Sequence, residues 1–134
     1  MTHALRIPLL ALLAAPWPLA AQPAAAADPA IAAFAEALRS CTPARHGTPH
    51  PFVRGFTSEH EVIGPAAERC AYTQSMPGGM RMDCAFDEPA RAAMADELVA
   101  FAAGRLSGGS GTQPAWAGDC EIVGADGKRT PFGA

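Results

Sequence analysis

The sequence is poor in positive charge. Lysine occurs once, at Lys128, and the arginines at 39, 45, 54, 69, 81, 91, 105 and 129 stand one at a time. That scatter lacks the basic patch or stripe by which a protein meets nucleic acid, so no nucleic-acid partner is expected. The formal net charge is −3. Asparagine is absent and alanine abundant, a bias of coding composition to which we attach no functional meaning.

A long apolar run is also missing. A membrane span needs about 18 to 20 consecutive apolar residues. The stretch from Ile7 to Ala20 is shorter and is interrupted by Pro8, Pro16 and Pro18. It follows MTHALR, which carries Arg6 and no acid, and precedes the small residues AAQPAAAADPA. This order of basic start, apolar middle and alanine-rich end is that of a cleaved secretory signal peptide. Cleavage after Ala21 or after Ala27 satisfies the small-residue rule, and we prefer the second. Residues 1–27 are then the leader and 28–134 a single exported domain of about a hundred residues. No cysteine follows either cleavage point, so a lipid anchor is not expected. The expectation is a periplasmic or secreted protein with no membrane span after cleavage, and the signal type and composition suggest a gram-negative periplasm.

The signatures of several chemistries are absent too. The chain has no H-E-x-x-H metal motif, no G-x-S-x-G nucleophile elbow, no phosphate-binding glycine loop and no dinucleotide fingerprint. GGSG at Gly108–Gly111 fails both glycine templates, because no lysine follows it and it trails a helix pattern. The expectation is therefore a non-enzyme with no cofactor. C-x-x-C is missing as well, which argues against a zinc cluster and a thioredoxin-type redox pair.

Four cysteines are present: Cys41, Cys70, Cys84 and Cys120. An even number, widely spaced, in an exported chain reads as two disulfides. A domain this small has a modest core, which cross-links would support.

Along the mature chain, Asp28-Pro29 caps and opens a helix on which Ile31, Phe34, Leu38 and Cys41 share one face. ARHGTPHP reads as loop, Phe52–Phe56 as a strand, His60–Ile63 as a second extended piece, and Gly64–Ala67 as a turn. A hairpin follows, YTQSMPGGMRMDC. On its second arm Met80, Met82, Cys84 and Phe86 alternate with Arg81, Asp83 and Ala85. For both apolar faces to coincide, Met76 must oppose Met80 and Tyr72 must oppose Cys84. Pro77-Gly78-Gly79 is then a three-residue loop, with Gly79 supplying a left-handed residue. Asp87 caps a second helix, whose stripe is Ala90, Met94, Leu98 and Phe101 and which ends near Gly104. Residues 107–118 form a Gly/Ser-rich loop carrying Trp116, before a strand at Cys120–Val123 and a possible terminal hairpin at Asp126-Gly127. The expected fold is α+β in the order α-β-β-β-α-β, a small, mostly antiparallel sheet with two helices on one face.

In that register Cys70 opposes Phe86, so Cys70 and Cys84 are diagonal neighbours about 7 Å apart, too far for an easy bond. Cys41–Cys70 with Cys84–Cys120 is preferred, and Cys41–Cys84 with Cys70–Cys120 stays open.

Two features could carry function. Met76, Met80 and Met82 crowd one face of the hairpin, and thioethers suit a cuprous ion. The same face holds Tyr72, Cys84 and Phe86, and methionine fills irregular cores well, so packing is the first reading. Trp116 would serve either as a binding lip or as a plug for the end of the core, and we prefer the plug. His46, His50 and His60 read as solvated loop and strand residues, with Glu59 and Glu61 raising the proton affinity of His60. Together these features suggest a small disulfide-stabilised binding or accessory module recognising an envelope protein, a peptide or a small ligand. The alternative is a periplasmic copper-binding protein using Met76, Met80 and Met82, with His46, His50 or His60 as candidates for a nitrogen ligand.

Overall fold

A computed structural model describes residues 28–105 and 112–133. The expected leader, residues 1–27, and part of the Gly/Ser-rich loop, residues 106–111, lie outside the described residues. The chain forms helix α1 (Pro29–Arg39), strands β1 (Ala44–Pro49), β2 (Thr57–Ala66), β3 (Arg69–Met76) and β4 (Met80–Phe86), helix α2 (Glu88–Ala102), and strands β5 (Cys120–Val123) and β6 (Arg129–Pro131). All six strands join one antiparallel sheet in chain order. The α+β architecture is as expected, with one more strand before α2 and a real terminal hairpin.

Both helices start as their sequences require. The Asp28 carboxylate accepts from the Ala30 N–H at 2.9 Å, and the Asp87 carboxylate from Ala90 at 2.8 Å. Proline follows each cap within two residues, where its missing N–H costs nothing. Ile31, Phe34 and Leu38 of α1 and Ala90, Met94 and Ala95 of α2 are buried. All of these but Ile31 join Val62, Tyr72, Cys84 and Phe86 from the inner sheet face in one core. The outer face carries charge, with Arg45 paired to Glu61, Arg81 to Asp83, and Arg129 to Asp83 and Glu121. Among the described residues no helix is long and apolar enough to cross a membrane.

Two assignments made from the sequence are corrected at the start of the sheet. ARHGTP is strand β1, and the segment Phe52–Phe56 is the loop that follows it. The loop is held by His50, whose Nδ1 accepts from the Phe52 and Val53 N–H groups at 3.2 and 3.0 Å, while Gly55 turns the chain at φ 77°. Gly47 suits the strand because a Cβ there would come within 3.0 Å of the Glu59 carboxylate. Pro49 is tolerated because it ends a strand that pairs on one side only. Gly64-Pro65-Ala66 is likewise strand, reached through a bulge between Val62 and Gly64, and the turn falls at Ala67 with φ 55°.

The hairpin register is as deduced: Met76 opposes Met80, Tyr72 opposes Cys84, and Cys70 opposes Phe86. Its turn differs in one respect. Gly78 as well as Gly79 is left-handed, at φ 77° and 73°. A Cβ on Gly78 would meet nothing within 4 Å, so only backbone strain opposes a side chain there. Gly78→Ala is therefore expected to destabilise by about 1 to 2 kcal/mol. Urea unfolding would show this as a lower midpoint at unchanged slope, and an unmoved midpoint would refute it.

The disulfides are Cys41–Cys70 and Cys84–Cys120, the preferred pairing. The first ties the end of α1 to the start of β3. The second joins residues directly opposite across β4 and β5. No described cysteine is free. Bonds of this kind persist in oxidising compartments.

Candidate functional site

The helices leave part of the inner sheet face uncovered. Alternation places Ser58 and His60 of β2, Gln74 and Met76 of β3, and Met82 of β4 on that face. His60 pairs with Gln74 and Gln74 with Met82, so these three form a row across adjacent strands. Ser58 and Met76 lie one inward position further along. Above them a groove of about 280 Å³ opens between the sheet and the outer half of α2. Met94, Glu97, Leu98 and Phe101 of α2 form one wall, Thr48 to Pro51 form the opposite rim, and Trp116 and Phe132 close an end.

The lining is mostly apolar with a small polar centre. His60 is only 5% exposed. Its Nδ1 lies 2.7 Å from the Tyr72 hydroxyl, which donates to Gln74 Oε1 at 3.2 Å. With the phenol proton committed to Gln74, His60 donates from Nδ1 and its Nε2 retains a lone pair. Burial, with the nearby His46 adding to it, lowers the His60 pKa to about 4. Burial also pushes the Tyr72 hydroxyl above the usual phenol range, with the Glu97 charge acting in the same direction. Both side chains are therefore neutral at neutral pH. The Thr48 hydroxyl oxygen at the rim is buried and has no partner among the described residues.

Trp116 is buried, with its ring 5.3 Å from that of Phe132 and its Nε1–H donating to Glu97 Oε2 at 2.6 Å. It belongs to the core cluster and also lines the groove. Beyond the rim, Phe52 is 81% exposed at the tip of the β1–β2 loop.

The three methionines of the hairpin separate. Met82 is buried in the groove floor, Met76 is half-buried there, and Met80 is 37% exposed and does not line the groove. Met94, which the sequence assigned to the stripe of α2, does line it. His60 is not the solvated residue expected, and burial lowers its proton affinity where flanking glutamates were expected to raise it. Glu59 and Glu61 belong to the other face. The alternation of Ser58, His60 and Val62 against those two glutamates was the available signal. Among the described residues no three His, Cys, Asp or Glu side chains gather to hold a metal ion.

No protein family, curated sequence or solved structure matches this chain. The site has to be read from its own chemistry.

A second depression lies on the outer face between Arg45, Glu59, Glu61, Thr73, Ser75 and Arg81. Both of its arginines are engaged: Arg45 bonds Glu61 within it at 2.7 Å, and Arg81 bonds the neighbouring Asp83 at 2.9 Å. The inner groove, with its neutral polar centre, is the better candidate.

Proposed function

We propose that this protein is an exported, non-catalytic binding module that holds a small ligand in the inner-face groove. The observation that carries the reading is the composition of that groove. Apolar walls surround a few convergent polar groups at Ser58, His60 and Gln74, the usual make-up of a small-molecule site. Its polar centre supports binding over chemistry, since a neutral imidazole bonded to a neutral phenol contains no activated nucleophile. The two disulfides and the signal-like leader support export to the periplasm or the exterior.

Leu98 stands half-buried in the α2 wall, so Leu98→Trp should fill the groove without emptying the core. Protein isolated from the exported compartment is expected to retain a ligand in its native mass spectrum. The Leu98→Trp variant should lose that excess mass while keeping its unfolding midpoint. Equal native and denatured masses for the unaltered protein would sink the reading.

A further inference from the structure

The groove floor assembles a donor set of one chemical kind. Gln74 pairs with His60 on one side and Met82 on the other. Met76 lies two residues beyond Gln74 on the same strand and the same face. It is therefore the diagonal neighbour of His60 on β2 and of Met82 on β4. Diagonal neighbours have Cα atoms about 7 to 8 Å apart, within reach of long side chains. Two thioethers and one imidazole can thus converge above Gln74, and Met94 lines the groove from α2, facing them.

We propose that this floor is a site for a cuprous ion, ligated by the sulfurs of Met76 and Met82 and by Nε2 of His60, with the Met94 sulfur completing it. The proposal rests on the reading of the groove as a binding site and names what it binds. Soft thioethers select Cu(I), and imidazole suits copper. The harder divalent ions find little here, because the one nearby carboxylate, Glu97, is engaged by the Trp116 N–H at 2.6 Å. His60 is arranged as metal-binding histidines are. Its Nδ1 is occupied by Tyr72, which fixes ring and tautomer, while Nε2 has no hydrogen-bond partner among the described residues. The apolar walls limit contact of the ion with bulk water, in which Cu(I) disproportionates, and with dissolved oxygen, which oxidises it.

Simple core filling accounts less well for the arrangement. A methionine that only packs is enclosed, whereas Met76 faces an open groove. The ligand set differs from the cluster the sequence suggested: Met80 falls out, Met94 enters, and of the three candidate histidines His60 is the one placed beside the sulfurs.

The test uses the mature, disulfide-intact protein with ascorbate as reductant, since ascorbate leaves disulfides in place. Cu(I) is partitioned against the chromogenic chelator bicinchoninate, and Ag(I) serves as a redox-inert probe. One equivalent of metal is expected to bind. Met76→Leu and Met82→Leu should each weaken binding on the order of tenfold or more, while Met80→Leu leaves it unchanged. In methyl-labelled protein, Ag(I) should shift the methyl signals of Met76, Met82 and Met94 and leave that of Met80 in place. Leucine is close to methionine in volume, so these variants should fold, and near-ultraviolet dichroism checks that they do. Failure of the protein to compete with bicinchoninate overturns the proposal. So does wild-type affinity in Met76→Leu, or an equal loss in Met80→Leu. If copper is refused but an organic mass sensitive to Leu98→Trp is retained, the metal assignment falls and the groove reading stands. If neither binds, both fall.

Discussion

Replacing Cys84 and Cys120 together by serine is expected to remove about 4 kcal/mol of stability. The two cysteines are separated by 36 residues, and Cys41 and Cys70 by 29. On the chain-entropy account, closing loops of this length restricts the unfolded chain by about 3.5 to 4 kcal/mol at 25 °C. Domains of this size are stable by only about 5 to 15 kcal/mol. Either double substitution should therefore leave a protein near the limit of folding, and both together an unfolded one. Urea unfolding followed by far-ultraviolet dichroism measures the loss directly. Double substitution avoids stranding a reactive thiol, and both Cys84 and Cys120 are buried, so part of the loss will come from placing hydroxyls in an apolar site. A change below about 1 kcal/mol would show that the unfolded chain is already restricted in this region.

Acidification should be the second large effect. In the metal-free folded protein His60 binds a proton only near pH 4, against 6.5 for an unrestrained imidazole, because burial opposes its charge and His46 adds to that. Below pH 6.5 the unfolded chain takes up a proton that the folded chain refuses, so stability falls as the pH drops. The slope approaches about 1.4 kcal/mol per pH unit and ends near pH 4, a total of about 3 kcal/mol. Groups facing the ring come from several elements: His46 of β1, Tyr72 and Gln74 of β3, and Glu97, across the groove on α2. His60→Gln retains hydrogen-bonding capacity without the titration and should flatten the profile between pH 6.5 and 4. An equally steep profile in that variant would assign the acid sensitivity to other groups.

The hairpin was legible in the sequence because two independent signals coincide there. The period-two pattern of Met80, Met82, Cys84 and Phe86 and the loop chemistry of Pro77-Gly78-Gly79 allow only one register. That register removes the Cys70–Cys84 pairing, which left the observed disulfides as one of two choices. Strand β1 was illegible for a physical reason. Its inward residues are Ala44, His46 and Thr48, too polar to show an apolar alternation, and its Gly47 and Pro49 resemble loop residues. The strand exists because β2 pairs with it along its whole length, a tertiary cause with no local trace. The groove was illegible for a similar reason. It depends on how far α2 leaves the sheet uncovered, and only the assembled fold brings Met94 over Met76 and Met82.

The sheet follows chain order, and this has a consequence for how the protein folds. Four of its five strand pairings join segments separated by short turns or loops: β1–β2, β2–β3, β3–β4 and β5–β6. Such local pairings close quickly, since little loop entropy is lost in making them. Only β4–β5 reaches across a helix, and there the ladder is four residue pairs long. The molecule is thus two quickly formed pieces, a four-stranded meander and a small hairpin, meeting at one slow seam. Cys84 and Cys120 face each other across that seam. Their covalent bond spans the one pairing with a long connection, so oxidation would act as a latch on that seam once the pieces have met.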